Sequence, residues 1–464
     1  MSNWTPDLSG SDAPRYLAIA DAIEADLKAG RLSPGDRLPA QRQLAGRLGL
    51  DFTTVARAYT EARRRGILAS RVGSGTFVTA PDSPAGRVPQ MQGMQRNPAA
   101  DFSMNLPPEP NSAELTARMQ ESFVALAADL VPLLRYQCFA PSDPDRQTAA
   151  RWLQRVGLAP QPDDVQFAPG AQAAMAGILT EIARPGDRIA CEAITYPGLR
   201  SLCGQLRIEP TGLPGDADGM DPDALHAACR NGGIKALYLN PTLGNPTTRT
   251  LPVQRRKDLA AVARHFGIPI IEDDAYGQLS RAKPPTFAEI MPELTWYVAS
   301  LSKSLGAGLR LAHVVAPGQS ASWRLARSLR TMSVMISPLT AALATRWIDD
   351  GTAAALLAHI RKESVARQSM AARHLARCRL HGDPDGFHLW LELENGWTPS
   401  AFVSQIRLQP IGVAEGDAFV TAGMPPNAVR LCLGGPHSRA ETDGALAAIA
   451  ATLASAPQTA ATYF

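Results

Sequence analysis

The first 80 residues carry a hydrophobic pattern with helical spacing, followed by two short stretches with strand character. Apolar side chains within Tyr16–Leu27 fall at i, i+3, i+4, i+7 and i+11, which places them on one face of a helix. A second, shorter helical pattern is closed by Gly49, and a third covers Asp51–Gly66, where the aspartate is suited to cap the first turn. The segments Ile67–Arg71 and Thr76–Val78 predict a small hairpin, so helix, helix, helix and wing form a winged helix-turn-helix.

From Asp101 onward, short apolar runs alternate with segments of helical length. This alternation is typical of a mostly parallel α/β sheet. The strand candidates are Val165–Ala168, Arg188–Cys191, Ala236–Leu239, Ile268–Glu272, Trp296–Ala299 and Ala312–Val315. Near Ser337-Pro338 the pattern changes, which predicts a separate α+β lobe at the end of the chain. Its elements are a long helical stretch (Leu339–Leu380), strands around Phe387–Leu393 and Val429–Cys432, and a last helix (Arg439–Leu453).

A stretch without apolar periodicity separates the two patterns. Residues 81–98 contain four prolines and two glycines, a composition typical of a linker that is semi-rigid at its proline-rich start. The sequence therefore predicts a winged helix-turn-helix domain at residues 1–80, this linker, and a larger domain at residues 99–464. Within the larger domain we expect a large lobe at about residues 140–338 and a small lobe at about residues 339–464.

The composition is that of an ordinary soluble protein. The chain has 464 residues, enough for two or three domains, and 45% of them are hydrophobic. No apolar run approaches the roughly 20 residues of a membrane-spanning helix, and no secretion signal is evident, so we expect a cytoplasmic protein. The six cysteines form no CxxC pair and the eight histidines show no ligand-like spacing, which favours reduced thiols over a metal site or a disulfide framework.

The positive charge is concentrated near the N-terminus. Residues 1–80 hold 11 Lys and Arg against 8 Asp and Glu, for a net charge of +3, whereas the rest of the chain holds 35 of each. Within residues 42–75, seven arginines stand against only Asp51 and Glu61. A basic segment of this kind is suited to a polyanion such as nucleic acid.

Three short sequence motifs occur together in the same region. They are Pro34–Pro39 (PGDRLP), Thr53–Val55 (TTV) and Gly73–Val78 (GSGTFV). Together with the order of elements, they closely resemble the GntR family of bacterial DNA-binding domains. Phe52 and Ala56 stand where relatives often have arginines that read bases, so the resemblance implies binding to double-stranded DNA without implying a particular operator.

The motif also indicates which residues would contact DNA. In a helix-turn-helix the first turns of the recognition helix enter the major groove, while flanking elements meet phosphates and the wing lies near the minor groove. The alternative is that these arginines only form a solvated helix face. The candidate DNA-binding residues are Thr53, Thr54 and Arg57 for the groove, Arg37 and Arg42 for phosphates, and Gly73 and Ser74 at the tip of the wing.

The segment Ser300–Arg310 (SLSKSLGAGLR) follows a predicted strand and combines hydroxyls, an amine, glycines and a guanidinium. Such a set can surround a phosphate and hold an amine beside it, although a lysine and serines in a loop are often merely solvated. The spacing resembles the active-site segment of fold-type-I aminotransferases. The resemblance implies that Lys303 is the catalytic lysine, which holds pyridoxal 5′-phosphate (PLP) as a Schiff base, and that Ser300, Ser302 and Arg310 hold its phosphate.

Further motifs of that family follow other predicted strands, at the sheet edge where α/β proteins place ligands. A strand turns into a helix at Ala168–Gln172, so that backbone amides can receive the phosphate. The other motifs are Thr195–Pro197 (TYP), Asn245–Thr247 (NPT) and Glu272–Tyr276 (EDDAY). Considered alone, the acidic cluster Glu272–Asp274 could equally be a solvated loop. The resemblance implies that Gly170, Ala171 and Gln172 bind the phosphate, Tyr196 stacks on the pyridine, Asn245 and Tyr276 hydrogen-bond the 3′ oxygen, and Asp273 keeps the pyridine nitrogen protonated.

Two further residues match the family less completely. Arg430 matches the arginine that grips the carboxylate of an amino acid, although an arginine in a late strand could instead form a structural salt bridge. Tyr136 resembles a tyrosine that reaches the phosphate of the neighbouring subunit, but the glycine that usually follows it is missing. Ala307 and Glu415 also depart from the residues common in transaminases.

A winged helix-turn-helix followed by a linker and an aminotransferase-like body resembles the MocR-type regulators within the GntR family. The predicted fold class is α/β, with a winged helix-turn-helix and a fold-type-I PLP-dependent aminotransferase-like domain of two lobes. The resemblance implies a transcriptional regulator that senses a small amino-compound effector, or PLP itself, through the internal aldimine of Lys303. It also implies a head-to-tail, domain-swapped homodimer on an operator with paired half-sites.

Two other functions remain open from the sequence. The protein could be a working aminotransferase with an accessory DNA-binding domain, since the residues for slow or partial transamination are present. It could also use a PLP-free body only to dimerise. The sequence does not distinguish among possible effectors, or between activation and repression.

Overall fold

The chain divides into two structural units, Met1–Arg96 and Asn97–Phe464. The computed structural model describes residues 4–8, 14–33, 35–65, 67–71, 75–78, 100–137, 141–282 and 284–457. The predicted linker at residues 81–98 lies outside the described residues, as do Gly73 and Ser74 of the predicted wing.

The first unit contains three helices and a two-stranded antiparallel sheet. These are α1 (Arg15–Lys28), α2 (Gln41–Leu48), α3 (Phe52–Arg64), β1 (Leu68–Arg71) and β2 (Gly75–Val78). The signals in the sequence explain their limits. The Asp51 side chain accepts a hydrogen bond from Thr53 N at 2.7 Å and caps α3, and Gly49 ends α2 in the left-handed conformation with φ of 61°.

The core of this unit is formed by the predicted helix faces. Ile19 and Ile23 of α1 and Val55 of α3 are fully buried. Tyr59 is also buried, and its hydroxyl donates to Pro39 O at 2.8 Å, which fixes α3 against the segment that precedes α2.

The second unit alternates strands and helices before it ends in a mixed lobe. Its strands are β3 (Ala100–Asp101), β4 (Val165–Ala168), β5 (Arg188–Glu192), β6 (Glu209–Leu213), β7 (Gly215–Asp216), β8 (Gly219–Met220), β9 (Ile234–Leu239), β10 (Ile270–Asp273), β11 (Thr295–Ser300), β12 (Ala312–Val315), β13 (Leu380–Gly382), β14 (His388–Glu392), β15 (Ile411–Gly412), β16 (Ala414–Glu415) and β17 (Ala428–Cys432). Its helices are α4 (Ala113–Leu126), α5 (Leu130–Leu133), α6 (Asp143–Leu153), α7 (Ala171–Ile182), α8 (Pro197–Leu206), α9 (Pro222–Arg230), α10 (Val253–Phe266), α11 (Phe287–Ile290), α12 (Gln319–Ser333), α13 (Pro338–Asp349), α14 (Thr352–His374), α15 (Pro399–Arg407) and α16 (Arg439–Ala454). In the part of the chain that the structure describes, no helix is both long and apolar enough to cross a membrane.

A seven-stranded sheet organises the large lobe, in the order β4-β12-β11-β10-β9-β5-β6. Strand β12 runs antiparallel to both of its neighbours, and the other pairs are parallel. All six predicted strands belong to this sheet. The seventh, β6, was not predicted because it is an edge strand that contains Pro210 and Gly212, both of which weaken a strand pattern.

The small lobe contains the antiparallel sheet β13-β14-β17-β16 and the helices α14 and α16. The long helical stretch predicted over Leu339–Leu380 is two helices in the structure, which corrects that prediction. The break comes at Asp350-Gly351, where the glycine has a φ of 81° that a helix cannot continue through.

A fully buried arginine joins α10 to the strand ends of the large sheet. Arg256 Nη2 donates to Pro241 O and to Thr242 Oγ1, each at 2.9 Å, and Arg256 Nε donates to Leu251 O at 3.0 Å. Its Nη1 lies 3.4 Å from Oε1 of Glu272, and both side chains are fully buried. The arginine therefore fixes the loop after β9 and the end of β10 relative to each other.

We expect Arg256→Ala to lower the free energy of unfolding of the second unit by about 3–5 kcal/mol, because it leaves Glu272 buried without its partner. Urea unfolding followed by tryptophan fluorescence measures the change.

Arg264→Ala on the same helix is the matched control. Arg264 lies 3.0 Å from Glu293, and both side chains are about half exposed. Such a surface ion pair contributes about 0–1 kcal/mol. Equal effects of the two substitutions would contradict a structural role for Arg256.

Candidate functional site

Polar side chains converge where β9, β10 and β11 end. Asn240 directly follows β9, Asp273 is the last residue of β10, and Lys303 lies in the turn after β11. Since these parallel strands end at the same edge of the sheet, residues far apart in sequence come together there.

The Lys303 side chain is partly buried at this edge. Its Nζ donates a hydrogen bond to the backbone oxygen of Asn105. Burial lowers the pKa of Lys303 to about 8, and the guanidiniums of Arg430 and Arg310 act in the same direction, while Asp273 opposes them. At neutral pH roughly a tenth of such an amine is uncharged, which is the form that attacks a carbonyl.

Asp273 is a buried carboxylate with one oxygen engaged and one not. Its Oδ2 accepts a hydrogen bond from Tyr238 Oη at 2.8 Å, whereas Oδ1 is buried and has no hydrogen-bond partner among the described residues. Burial raises the pKa of Asp273 to about 6, against the effect of the Tyr238 hydrogen bond. The geometry leaves a strong acceptor available to a donor from a ligand.

Tyr276 is fully buried and is linked to the lysine through Asn105. Asn105 Nδ2 donates to Tyr276 Oη at 2.6 Å, and the Tyr276 ring packs against His388 with centroids 5.1 Å apart. Burial raises the pKa of Tyr276 far above its usual value and lowers the pKa of His388 to about 3. Tyr276 is therefore a protonated phenol next to a neutral imidazole.

Asn245 and Arg430 form a second pair at the junction of the two lobes. Arg430 Nη1 donates to Asn245 Oδ1 at 2.9 Å, and Arg430 Nη2 donates to the backbone oxygen of Ser103. The guanidinium also lies over the Phe419 ring, 5.1 Å from its centroid. No ion pair in the described residues includes Arg430, so the salt bridge that the sequence left open is not what positions it there.

The residues predicted to form a phosphate cradle lie at the start of α7 and in the turn after β11. Gly170 precedes α7 with a φ of 89°, and none of the described side chains caps this helix, so its first amides have no side-chain acceptor there. A Cβ at Gly170 would lie 2.9 Å from Arg310 Nη2, which shows how closely the guanidinium approaches this helix end. Ser302 N donates to Ser300 Oγ at 3.2 Å within the same turn.

Tyr196 and Gln172 border this cradle. The Tyr196 hydroxyl donates to Gln172 Oε1 at 3.4 Å, and Gln172 Nε2 donates to Gly198 O at 2.9 Å. A Cβ at Gly198 would overlap the Tyr196 ring, so the glycine permits the close approach of the ring to the start of α8.

Tyr136 does not join this cluster within the single chain. It follows α5 and is 84% exposed.

In the first unit, the described DNA-binding candidates are exposed or lie on the first turns of α3. Thr53 and Thr54 are in the first turn, and the Arg57 guanidinium lies over the Tyr16 ring, 4.5 Å from its centroid. Arg42 lies 5.7 Å from the centroid of the exposed Phe52 ring. Arg37 is exposed, and its backbone forms an isolated antiparallel β-bridge with Phe77 of β2.

Three residues of the site were not predicted from the sequence. Tyr238 holds Asp273, Asn105 contacts both Lys303 and Tyr276, and Asn240 donates to Asp273 O at 2.5 Å while accepting from Asn245 N at 2.8 Å. The position of Asn240 at a strand end could have identified it. The roles of Tyr238 and Asn105 could not be predicted from local sequence, because they depend on the order of the strands and on the path of the chain past the small lobe.

Two family models match the chain. The model of aminotransferase class I and II matches residues 101–449, more than half of the chain, and the model of bacterial regulatory proteins of the gntR family matches residues 15–78. The uncharacterized HTH-type transcriptional regulator YdeF of Bacillus subtilis is 30% identical over 445 residues, which cover 96% of this chain and 95% of YdeF. The vitamin B6 salvage pathway transcriptional repressor PtsJ of Salmonella typhimurium is 30% identical over 425 residues, 89% of this chain and 93% of PtsJ.

Solved structures agree in fold. The α-aminoadipate aminotransferase LysN of Thermus thermophilus matches with a TM-score of 0.69 at 22% identity, over 76% of this chain and 92% of LysN. An archaeal alanine:glyoxylate aminotransferase matches with a TM-score of 0.70 at 20% identity, over 76% of this chain and 90% of that protein. The predicted fold class is thus confirmed. The chain belongs to the MocR-type transcriptional regulators, in which a gntR-family helix-turn-helix domain is joined to an aminotransferase class I and II domain.

Proposed function

We propose that this transcriptional regulator binds PLP at Lys303 and uses the resulting Schiff base to sense a small amino compound or the supply of PLP. The observation that carries the proposal is the buried Oδ1 of Asp273, which has no hydrogen-bond partner among the described residues and lies in the same cluster as an amine of lowered pKa. A pyridinium N–H fits the first group and an aldehyde fits the second. The aminotransferase class I and II family is a family of PLP-dependent proteins.

The residues present fit the whole cofactor. Asp273 would hold the pyridine nitrogen, and Tyr276 and Asn245 would hold the 3′ oxygen. The first amides of α7 and the side chains of Ser300, Ser302 and Arg310 would hold the phosphate dianion. When bound, PLP supplies an aldehyde that exchanges between amines, and a ring that withdraws electrons.

The side chains around the lysine would select and orient the effector. Arg430 can grip a carboxylate if the carboxylate takes the place of the Ser103 oxygen on Nη2. The buried Tyr276 and His388 exclude water from the same side. The name of one relative agrees with this proposal: PtsJ is a vitamin B6 salvage pathway transcriptional repressor.

An apolar face on the second unit supports a homodimer. The side chains of Phe123, Val124, Val131, Leu134 and Tyr136 are between 62% and 84% exposed. A groove of about 650 Å³ adjoins them, lined in part by Leu133, Phe167, Leu329 and Ile336. Apolar patches of this kind mark interaction sites, and we propose that a second copy of the chain covers it and brings Tyr136 to the partner's phosphate cradle.

Each copy would contribute one recognition helix. Two copies therefore place two α3 helices on one DNA duplex, on half-sites one or more helical turns apart, about 34 Å each. An effector changes this arrangement only if it binds one arrangement more tightly than the other, typically by 1–3 kcal/mol.

A second candidate function is an active aminotransferase with an accessory DNA-binding domain. It is favoured by the presence of the complete set of Lys303, Asp273, Tyr276 and Arg430. The 2-aminoadipate transaminase of Thermus thermophilus is 24% identical over 361 residues, 73% of this chain and 86% of that enzyme.

The wild-type protein mixed with PLP should be yellow and should protect the DNA upstream of its own gene, and an amino compound that changes the colour should change the protection. Lys303→Ala should abolish the colour and the response but keep basal DNA binding, because the first unit is unaltered. Absorbance spectra and footprinting at fixed salt measure both.

Sustained turnover with amino donors and 2-oxoglutarate or pyruvate would favour the enzyme instead, and absence of protection would count against regulation.

Asp273→Asn should stabilise the cofactor-free protein above pH 6. The native pKa of Asp273, raised to about 6, lies above its unfolded value of about 3.9, so the native state binds the extra proton between these values and its stability falls as pH rises through that window. The asparagine variant should gain about 2–3 kcal/mol at pH 7.5 and nothing near pH 4, as measured by urea unfolding.

Two comparisons control that measurement. PLP should stabilise the wild type more than Asp273→Asn, since the variant cannot hold the charged pyridine nitrogen. Asp218→Asn, which changes an exposed carboxylate, should leave the stability profile unaltered. A gain that is the same at pH 4 and pH 7.5 would show that the burial cost of Asp273 is not its source.

The double variant Val131→Asp, Leu134→Asp should weaken the homodimer about 30-fold or more, because two charges would be buried at its centre. Sedimentation velocity over a concentration series measures the dissociation constant. Met424→Asp, at a position that is 90% exposed elsewhere on the second unit, is the control. A dimer of unchanged affinity would place the interface on another face.

A further inference from the structure

Asn105 makes two contacts inside the site that the cofactor roles above do not use. Its backbone oxygen accepts a hydrogen bond from Lys303 Nζ, and its side-chain Nδ2 donates to Tyr276 Oη at 2.6 Å. One residue therefore touches both the amine and the phenol of the proposed PLP site.

The backbone on both sides of Asn105 is held by the small lobe. Cys432 N donates to Phe102 O at 2.9 Å, and Cys432 Sγ donates to Leu106 O at 3.4 Å. A Cβ at Gly434 would overlap the Leu106 oxygen, so the segment runs directly over that glycine. The Asn105 side chain thus extends from a backbone whose position is fixed.

The hydrogen bond to Tyr276 determines what the phenol can do. Because the carboxamide N–H takes a lone pair of Tyr276 Oη, the hydroxyl keeps its own proton for another acceptor, and none of the described residues accepts it. A hydroxyl that accepts a hydrogen bond also becomes a stronger donor. Asn105 therefore presents Tyr276 to the site as a donor.

We propose that Asn105 is a positioning residue: it holds the Tyr276 hydroxyl as a donor toward the 3′ oxygen of PLP and so makes the Schiff-base nitrogen of Lys303 release its proton more readily. The inference rests on the proposed function. A donor to the 3′ oxygen stabilises the oxyanion that remains when the nearby nitrogen is unprotonated. Loss of the carboxamide weakens that donor and lets the nitrogen keep its proton to higher pH.

Other charged and titratable groups face the same centre from every neighbouring element, and they are unchanged in the variants below. They are Asp273 from β10, Arg310 from the turn after β11, Arg430 and Cys432 from β17, Tyr196 before α8 and His388 from β14. A shift on substitution of Asn105 is therefore attributable to its own carboxamide.

The full-length protein loaded with PLP allows a direct test. The visible absorbance of the Schiff base is recorded from pH 5 to pH 10 in the wild type, Asn105→Ala and Asn105→Leu. Both variants keep the backbone oxygen that accepts from Lys303, and leucine also keeps the branched shape. We expect the apparent pKa to rise by about 0.5–1 unit in both, the equivalent of one hydrogen bond.

A double-variant cycle identifies the route. In a Tyr276→Phe background, Asn105→Ala should leave the apparent pKa where Tyr276→Phe alone puts it, because the hydroxyl through which Asn105 acts is gone. Met104→Ala is the matched control, since Met104 is the preceding residue and is 58% exposed. It should titrate as the wild type does.

The outcomes separate this proposal from the one it rests on. If the wild type shows no Schiff-base band that depends on Lys303, the proposed PLP function fails and this inference fails with it. If the wild type titrates but the Asn105 variants titrate identically, bind no PLP, or shift equally in the Tyr276→Phe background, only the positioning role is overturned.

Discussion

The structure depends on the burial of three consecutive carboxylates at the end of β10. Glu272, Asp273 and Asp274 are at most 4% exposed, and each needs its own partner in an environment that disfavours charge. Alternation along the strand sends Glu272 to Arg256 and Asp273 toward the site, and Asp274 accepts from Tyr297 Oη at 2.6 Å. Asp273 accepts from Tyr238 Oη. Asp273 and Asp274 each keep a buried Oδ1 without a hydrogen-bond partner among the described residues, and the Oδ1 of Asp273 belongs to the cluster around Lys303.

This arrangement joins folding to function through one strand. Arg256 fixes the end of β10 from one side of the sheet, and Tyr238 orients Asp273 on the other. The lowered pKa of Lys303 comes from the same burial, since the lysine occupies the neighbouring strand end. A site of this kind is less stable than a purely apolar core of the same size, and its ligand supplies the missing interactions.

Much of this could be predicted from local sequence. The six central strands, the three N-terminal helices and the turn that carries Lys303 have local signals: short apolar runs, the N-cap Asp51, and a cluster of glycines and hydroxyls. The edge strand β6 lacks such a signal because Pro210 and Gly212 interrupt it. The partners Tyr238 and Asn105 have no local signal at all, since their roles arise only from strand order and from the return of the chain over the small lobe.

The path of the chain after Asp101 has a consequence for modularity. Ser103 and Asn105 contact Arg430, Tyr276 and Lys303, and they lie only a few residues beyond the segment that joins the two units in sequence. The boundary between the exchangeable regulatory part and the ligand-binding part therefore falls before Ala100. A recombination event or a designed fusion that keeps residues from Ala100 onward carries an intact pocket to a new DNA-binding partner. One that joins a few residues later removes part of the pocket, even though every residue matched by resemblance to the cofactor site would be retained.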